Sequence, residues 1–157
     1  MILDKNLEFA DATSVANAAG VDNIGSTIDM TVVRDIGNGQ PVYLVINVDT
    51  EIITGGSAGI IQFRLVSDST EVPSADETPT LHAKSEDFVT DDSAANDSEL
   101  NAGGYPFVIA LPLEGPEYER YLGIQTVITT TTVTAGNINA FLTLDPVGWK
   151  AYPDATN

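Results

Sequence analysis

Apolar and polar residues alternate with a period of two along most of this chain. In PVYLVINVDTEI, Val42, Leu44, Ile46 and Val48 share one face while Tyr43, Val45, Asn47 and Asp49 share the other. That pattern is the mark of a half-buried β-strand. Ile61, Phe63 and Leu65 alternate with Gln62 and Arg64, and Phe107, Ile109 and Leu111 alternate with Val108 and Ala110. Leu122, Ile124, Thr126 and Ile128 line one face of a further strand, and Ile138, Ala140, Leu142 and Leu144 line another. The β-branched run TTTTVT between them, with Ala135-Gly136-Asn137 at the bend, predicts that these last two form a hairpin. A weaker strand is expected from Ile28 to Val33, closed by Gly37, Asn38 and Gly39.

Proline falls where this scheme allows it. Pro41 and Pro106 open strands, Pro112 and Pro146 close them, and Pro73, Pro79, Pro116 and Pro153 lie in connections, so none interrupts a central strand. The helical spacing i, i+3, i+4, i+7 is not sustained anywhere, and TSVANAA from Thr13 to Ala19 has room for only a short helix. About six to eight alternating strands without helical crossovers predict an all-β fold, an antiparallel jelly-roll-like sandwich with a long acidic loop excursion. The excursion is Ser67 to Gly104, which holds ten of the 23 acidic residues. A short strand from Thr80 to Lys84 is expected to interrupt it, and DDSAANDSEL reads as an exposed, mobile and replaceable tip. The whole of 1–157 is expected to be one domain, with an extended N-terminal arm over 1–12 and a C-terminal tail over 146–157.

Composition narrows the chemistry. Cysteine is absent, which removes thiolate metal sites, iron–sulfur clusters and cysteine nucleophiles. Six Lys and Arg against 23 Asp and Glu give a net charge of −17. Such a field repels phosphate backbones and anionic lipid, so no nucleic acid and no membrane partner is expected. No apolar run approaches the roughly 20 residues of a membrane helix. The opening MILDKNLEF carries Asp4, Lys5 and Glu8 where an export leader would be uninterruptedly apolar.

Catalytic motifs are scarce. GGSAG from Gly55 to Gly59 lies between strands rather than before a helix, and reads as a hairpin turn instead of a phosphate loop. Asp91, Asp92, Asp97 and Glu99 offer hard oxygen ligands without the spacing of a calcium loop. His82 is the one histidine, and no serine sits in a G-x-S-x-G elbow. No catalytic residue, cofactor or metal is expected. Ile2, Leu3 and Phe9 near the start, and Trp149 and Tyr152 near the end, are apolar residues outside the clearest strands. They are candidates for contact with a neighbouring subunit, while Trp149 could equally fold back to cap the sandwich.

The phrases MILDKNLEFADA, GYPFVIALPLEGPEYERYLGIQTV, TAGNINAFLTLD and the closing WKAYPD resemble the jelly-roll cement, or decoration, proteins of tailed-bacteriophage capsids. The stretch from Glu86 to Glu99 reads as an insertion against that family. The resemblance implies a structural virion protein, not an enzyme, assembled in the host cytoplasm onto the capsid exterior. Its partners would be the major capsid protein and itself, as a homodimer or homotrimer bridging neighbouring capsomers. Two other readings stay open. A carbohydrate-binding jelly roll would need Tyr43, Tyr105, Tyr118, Tyr121 or Trp149 gathered on one exposed face, and a glycan-cleaving enzyme would need a carboxylate pair that spacing does not single out.

Overall fold

The alternating segments become nine strands: β1 (Glu8–Ser14), β2 (Gly20–Asp29), β3 (Tyr43–Ile53), β4 (Gly59–Asp68), β5 (Thr80–Lys84), β6 (Phe88–Thr90), β7 (Phe107–Ala110), β8 (Tyr121–Thr129) and β9 (Ala135–Thr143). The computed structural model describes residues 4–33, 36, 39–92 and 95–146. The strands form two antiparallel sheets that face each other as a sandwich. Sheet I runs β1-β9-β3-β7 and sheet II runs β2-β8-β4-β5, with β6 pairing β4 beyond the end of β5. Consecutive strands mostly alternate between the sheets, which is the double Greek-key order of a jelly roll. The expected all-β, jelly-roll-like sandwich is therefore what this chain forms.

The period-two pattern explains the core. From sheet I, Leu44, Ile46, Val48, Ile138, Ala140 and Leu142 point inward, and from sheet II Ile61, Phe63, Leu65, Leu122, Ile124 and Ile128 meet them. Removing each such side chain from water contributes about 1.5–3 kcal/mol. The edge formed by β1 and β2 is closed by Gly25, whose φ of +69 lies in the left-handed region. A Cβ at Gly25 would collide with the carbonyl of Phe9, so only glycine lets the sheets meet there.

Several expectations are corrected. The strands at 122–128 and 138–144 are not a hairpin, because β8 lies in sheet II and β9 in sheet I. Their apolar faces look at the same core from opposite sides, and the link between them is pinned by Val133, which is buried and donates its N–H to the Asn17 carbonyl. GGSAG likewise is an arch from sheet I to sheet II rather than a hairpin turn. Gly55 and Gly56 take φ of +78 and +97, and buried Thr54 donates its hydroxyl to the Ser57 carbonyl at 2.6 Å. Thr13 to Ala19 forms no helix.

The expected strand from Ile28 to Val33 ends early. Thr31 adopts φ +66 with its N–H held by Asp29 Oδ1 at 2.7 Å, leaving Val32 and Val33 exposed. Within the expected N-terminal arm Lys5–Leu7 is a 3-10 turn, and Glu8–Ser14 is a strand hydrogen-bonded along β9. Its bulge at Ala12 (φ +45) is clasped by Asn139 Oδ1, which accepts the Ala12 N–H at 2.6 Å. The tail from 147 onward lies outside the described residues.

Candidate functional site

At one end of the sandwich β2 stops at Asp29, β3 begins after Pro41 and β9 ends at Thr143. The gap between these ends is an open groove of about 550 Å³ lined mainly by Leu7, Met30, Ile36, Val42, Leu142 and Leu144. Met30, Ile36 and Val42 pack on the core, so the groove is the unfinished end of that core. Its rim carries a charged clamp. Arg120 donates through Nε and Nη2 to the two carboxylate oxygens of Asp29, both at 2.8 Å, and its guanidinium lies 4.8 Å over the Tyr121 ring. These bonds, with the Thr31 N–H, hold the Asp29 carboxyl down at about 2.

The nearest approach to a nucleophile and base is Ser67 with His82. β4 and β5 are neighbours, and Ser67 Oγ lies 2.7 Å from His82 Nε2. Ser67 is 0% exposed, so its hydroxyl cannot meet an external carbonyl carbon. The same oxygen accepts the Glu119 N–H at 3.0 Å, while Glu119 Oε1 accepts the Thr80 hydroxyl at 2.8 Å. Tyr118 stacks on the His82 ring, 3.8 Å between centroids and 12° from parallel, and donates its own hydroxyl to the Pro112 carbonyl. Together these contacts brace the connection between β7 and β8 against sheet II. Burial pushes the His82 pKa down, with the Glu119 charge opposing.

The acidic excursion is more built than its composition suggested. Thr80–Lys84 is a strand with the expected bounds, β6 adds a second, and Leu100 is 0% exposed. Asp97 Oδ2 accepts the Val89 N–H, Asn96 Nδ2 donates to the Ile52 carbonyl at 2.6 Å, and the Asp91 carbonyl accepts the Thr54 N–H at 3.0 Å. The expected free tip is thus tied to β3 and β6, because short Asx side chains satisfy backbone groups that the edge of the sheet leaves open. Among the described residues no three Asp, Glu or His side chains converge as a cation site.

Of the candidate contact residues, Ile2, Leu3, Trp149 and Tyr152 lie outside the described residues. Phe9 is 2% exposed within the protein's own core, where the alternation of β1 delivers it, and so has no surface to offer a neighbour. Tyr43, Tyr118 and Tyr121 are not gathered into a platform. Tyr118 is buried, and Tyr43 and Tyr121 precede inward-pointing Leu44 and Leu122, which turns them to opposite outer faces. The groove and the serine–histidine brace went unseen in the sequence because both join residues far apart in the chain.

The Bbp16 family matches residues 9–142. The chain belongs to the Bbp16 family. The match begins in β1 and ends in β9. No curated protein matches the chain significantly.

Proposed function

We propose that this Bbp16 family member is a structural cement protein that binds the outer surface of a tailed-phage capsid and bridges neighbouring capsomers. The reading is carried by the strand order, β1-β9-β3-β7 against β2-β8-β4-β5. That architecture serves viral capsid proteins as well as lectins and cupins. A cupin would place metal ligands between the sheets, where this chain packs Phe63, Ile61 and Leu65. A lectin would present the aromatic platform that Tyr43, Tyr118 and Tyr121 do not make. Architectural use suits a core packed with apolar side chains, and it agrees with the resemblance of the sequence to phage cement proteins. The net charge of −17 favours a basic partner surface, and a lattice of identical weak contacts adds to strong retention.

The test is sedimentation of purified protein with capsids of the phage that encodes it, before and after shell expansion. Saturable binding in fixed ratio to the major capsid protein, with a raised shell melting temperature, is the expected result. A protein that stays in the supernatant of both forms would refute the cement role.

A further inference from the structure

Along one side of the sandwich the edge strands β1 and β2 meet, whereas β7 and β5 on the other side make no comparable contact. The connection from Leu111 to Arg120 bridges that second side. Its ends are tied to neighbouring segments: the Leu111 N–H donates to the Val42 carbonyl at 2.8 Å, and the Arg120 carbonyl accepts the Met30 N–H at 2.9 Å. Its middle stands off the body, since 113–117 are exposed and a Cβ at Gly115 would meet nothing. The connection is drawn down again at Tyr118, which is buried in the core and stacks on the His82 ring, and at Glu119, whose N–H bonds Ser67 Oγ. Both grips converge on His82 of β5.

That arrangement needs a neutral imidazole. Ser67 Oγ accepts the Glu119 N–H and donates its own proton to His82 Nε2. A proton on Nε2 turns this acceptor into a donor, and the fully buried Ser67 hydroxyl loses the acceptor it has. An imidazolium finds its counter-charge close by. Glu119 is the charge that faces the ring, and its Oε1 is held by the Thr80 hydroxyl. The other polar and charged groups around β5 are turned elsewhere. The Asp68 carboxylate accepts the Thr70 and Ser74 N–H groups, the Tyr118 hydroxyl donates to the Pro112 carbonyl, and Lys84 is opposed to Arg64 on the outer face of sheet II.

We propose that His82 is the latch of a proton-operated flap: a proton taken from solvent onto Nε2 exchanges the bond to Ser67 for one to the Glu119 carboxylate and frees 112–119 from the β7–β5 side. Turning to Glu119 draws the ring out of its stack with Tyr118, and the Glu119 N–H loses the geometry that Ser67 gave it. The opening stays local. Leu111 and Arg120 keep their bonds to Val42 and Met30, and the β4–β8 ladder does not involve His82. What the open flap uncovers is apolar, because Tyr118 leaves a core that includes Leu111, Phe107 and Ala83. This inference does not rest on the capsid reading.

Hydrogen exchange of the Glu119 amide in the intact protein reads the flap directly. Between pH 6.5 and the lowered pKa of folded His82, opening takes up one proton, so after correction for the intrinsic exchange rate its protection should fall by about tenfold per pH unit. The amides of Leu65 and Ile124, inside the β4–β8 ladder, should keep theirs over the same range. His82→Gln, whose amide oxygen accepts the Ser67 proton without titrating, should hold Glu119 protected throughout. Glu119→Gln, which removes the counter-charge and keeps the backbone N–H, should move the onset to lower pH and serves if the first variant fails to fold. Protection at Glu119 that does not respond to pH overturns the proposal. So does a loss shared equally by Leu65 and Ile124, which is unfolding of the whole, a loss that persists in His82→Gln, or an onset that Glu119→Gln leaves in place.

Discussion

Ser67 has no exposed surface, and the proton on its hydroxyl decides the state of His82. Because Oγ already accepts the Glu119 N–H, the buried O–H is satisfied only by donating to Nε2, which fixes a neutral imidazole protonated at Nδ1. The folded His82 pKa is lowered from 6.5, so the unfolded chain takes up the proton first. Stability is complete above that value and falls as pH drops below it toward the folded pKa. Urea midpoints between pH 8 and 5 should decline more for the native protein than for His82→Gln. Asp29 shifts in the usual carboxylate sense, and its contribution disappears only as pH falls toward about 2. Thr126 shows the opposite economy. Its hydroxyl is buried between the sheets with no hydrogen-bond partner among the described residues, and Thr126→Val should raise stability by about 1 kcal/mol in chemical denaturation.

At the scale of elements, the acidic excursion divides what was legible in the sequence from what was not. Strand Thr80–Lys84 could be read because an ordered loop of that length with no element of its own is unusual, and the alternation of β3, β4 and β9 gave their core faces directly. Alternation says which side of a strand is buried and nothing about which sheet it joins, so the β8–β9 hairpin was the natural and mistaken expectation. Composition misled in DDSAANDSEL, where Asp97 and Asn96 are structural hydrogen-bonding groups and Leu100 is a core residue. Leu100→Ala should therefore cost about 2–5 kcal/mol in urea unfolding, a loss that a freely mobile tip would not register. The groove and the Ser67–His82 brace depend on contacts between distant segments, which no local pattern encodes.

At the scale of the molecule, a charge of −17 is set against few ion pairs. Among the described residues Lys5, Arg64 and Arg120 pair with Glu8, Glu77 and Asp29, all at least partly in solvent. Such pairs are worth little each, whereas the net charge repels itself throughout the compact state. Salt shortens the reach of that repulsion from about 30 Å at 0.01 M to about 8 Å at 0.15 M. The melting temperature should rise over this range in calorimetry, and one that falls would mean that the pairs outweigh the net charge.

The order of strands also sets a schedule for synthesis. Among the described residues β1 pairs only with β9, and β2 only with β8, so β1 and β2 leave the ribosome well before the strands they pair with. At roughly 5–20 residues per second that wait lasts several seconds or longer, during which β3 and β4 lack their central neighbours β9 and β8. Chains stalled before Ala135 should accordingly be digested by protease along their whole length, without a resistant N-terminal core. In that interval the excess of carboxylates acts on the nascent protein rather than the finished one, keeping neighbouring unfinished chains apart until the closing strand arrives.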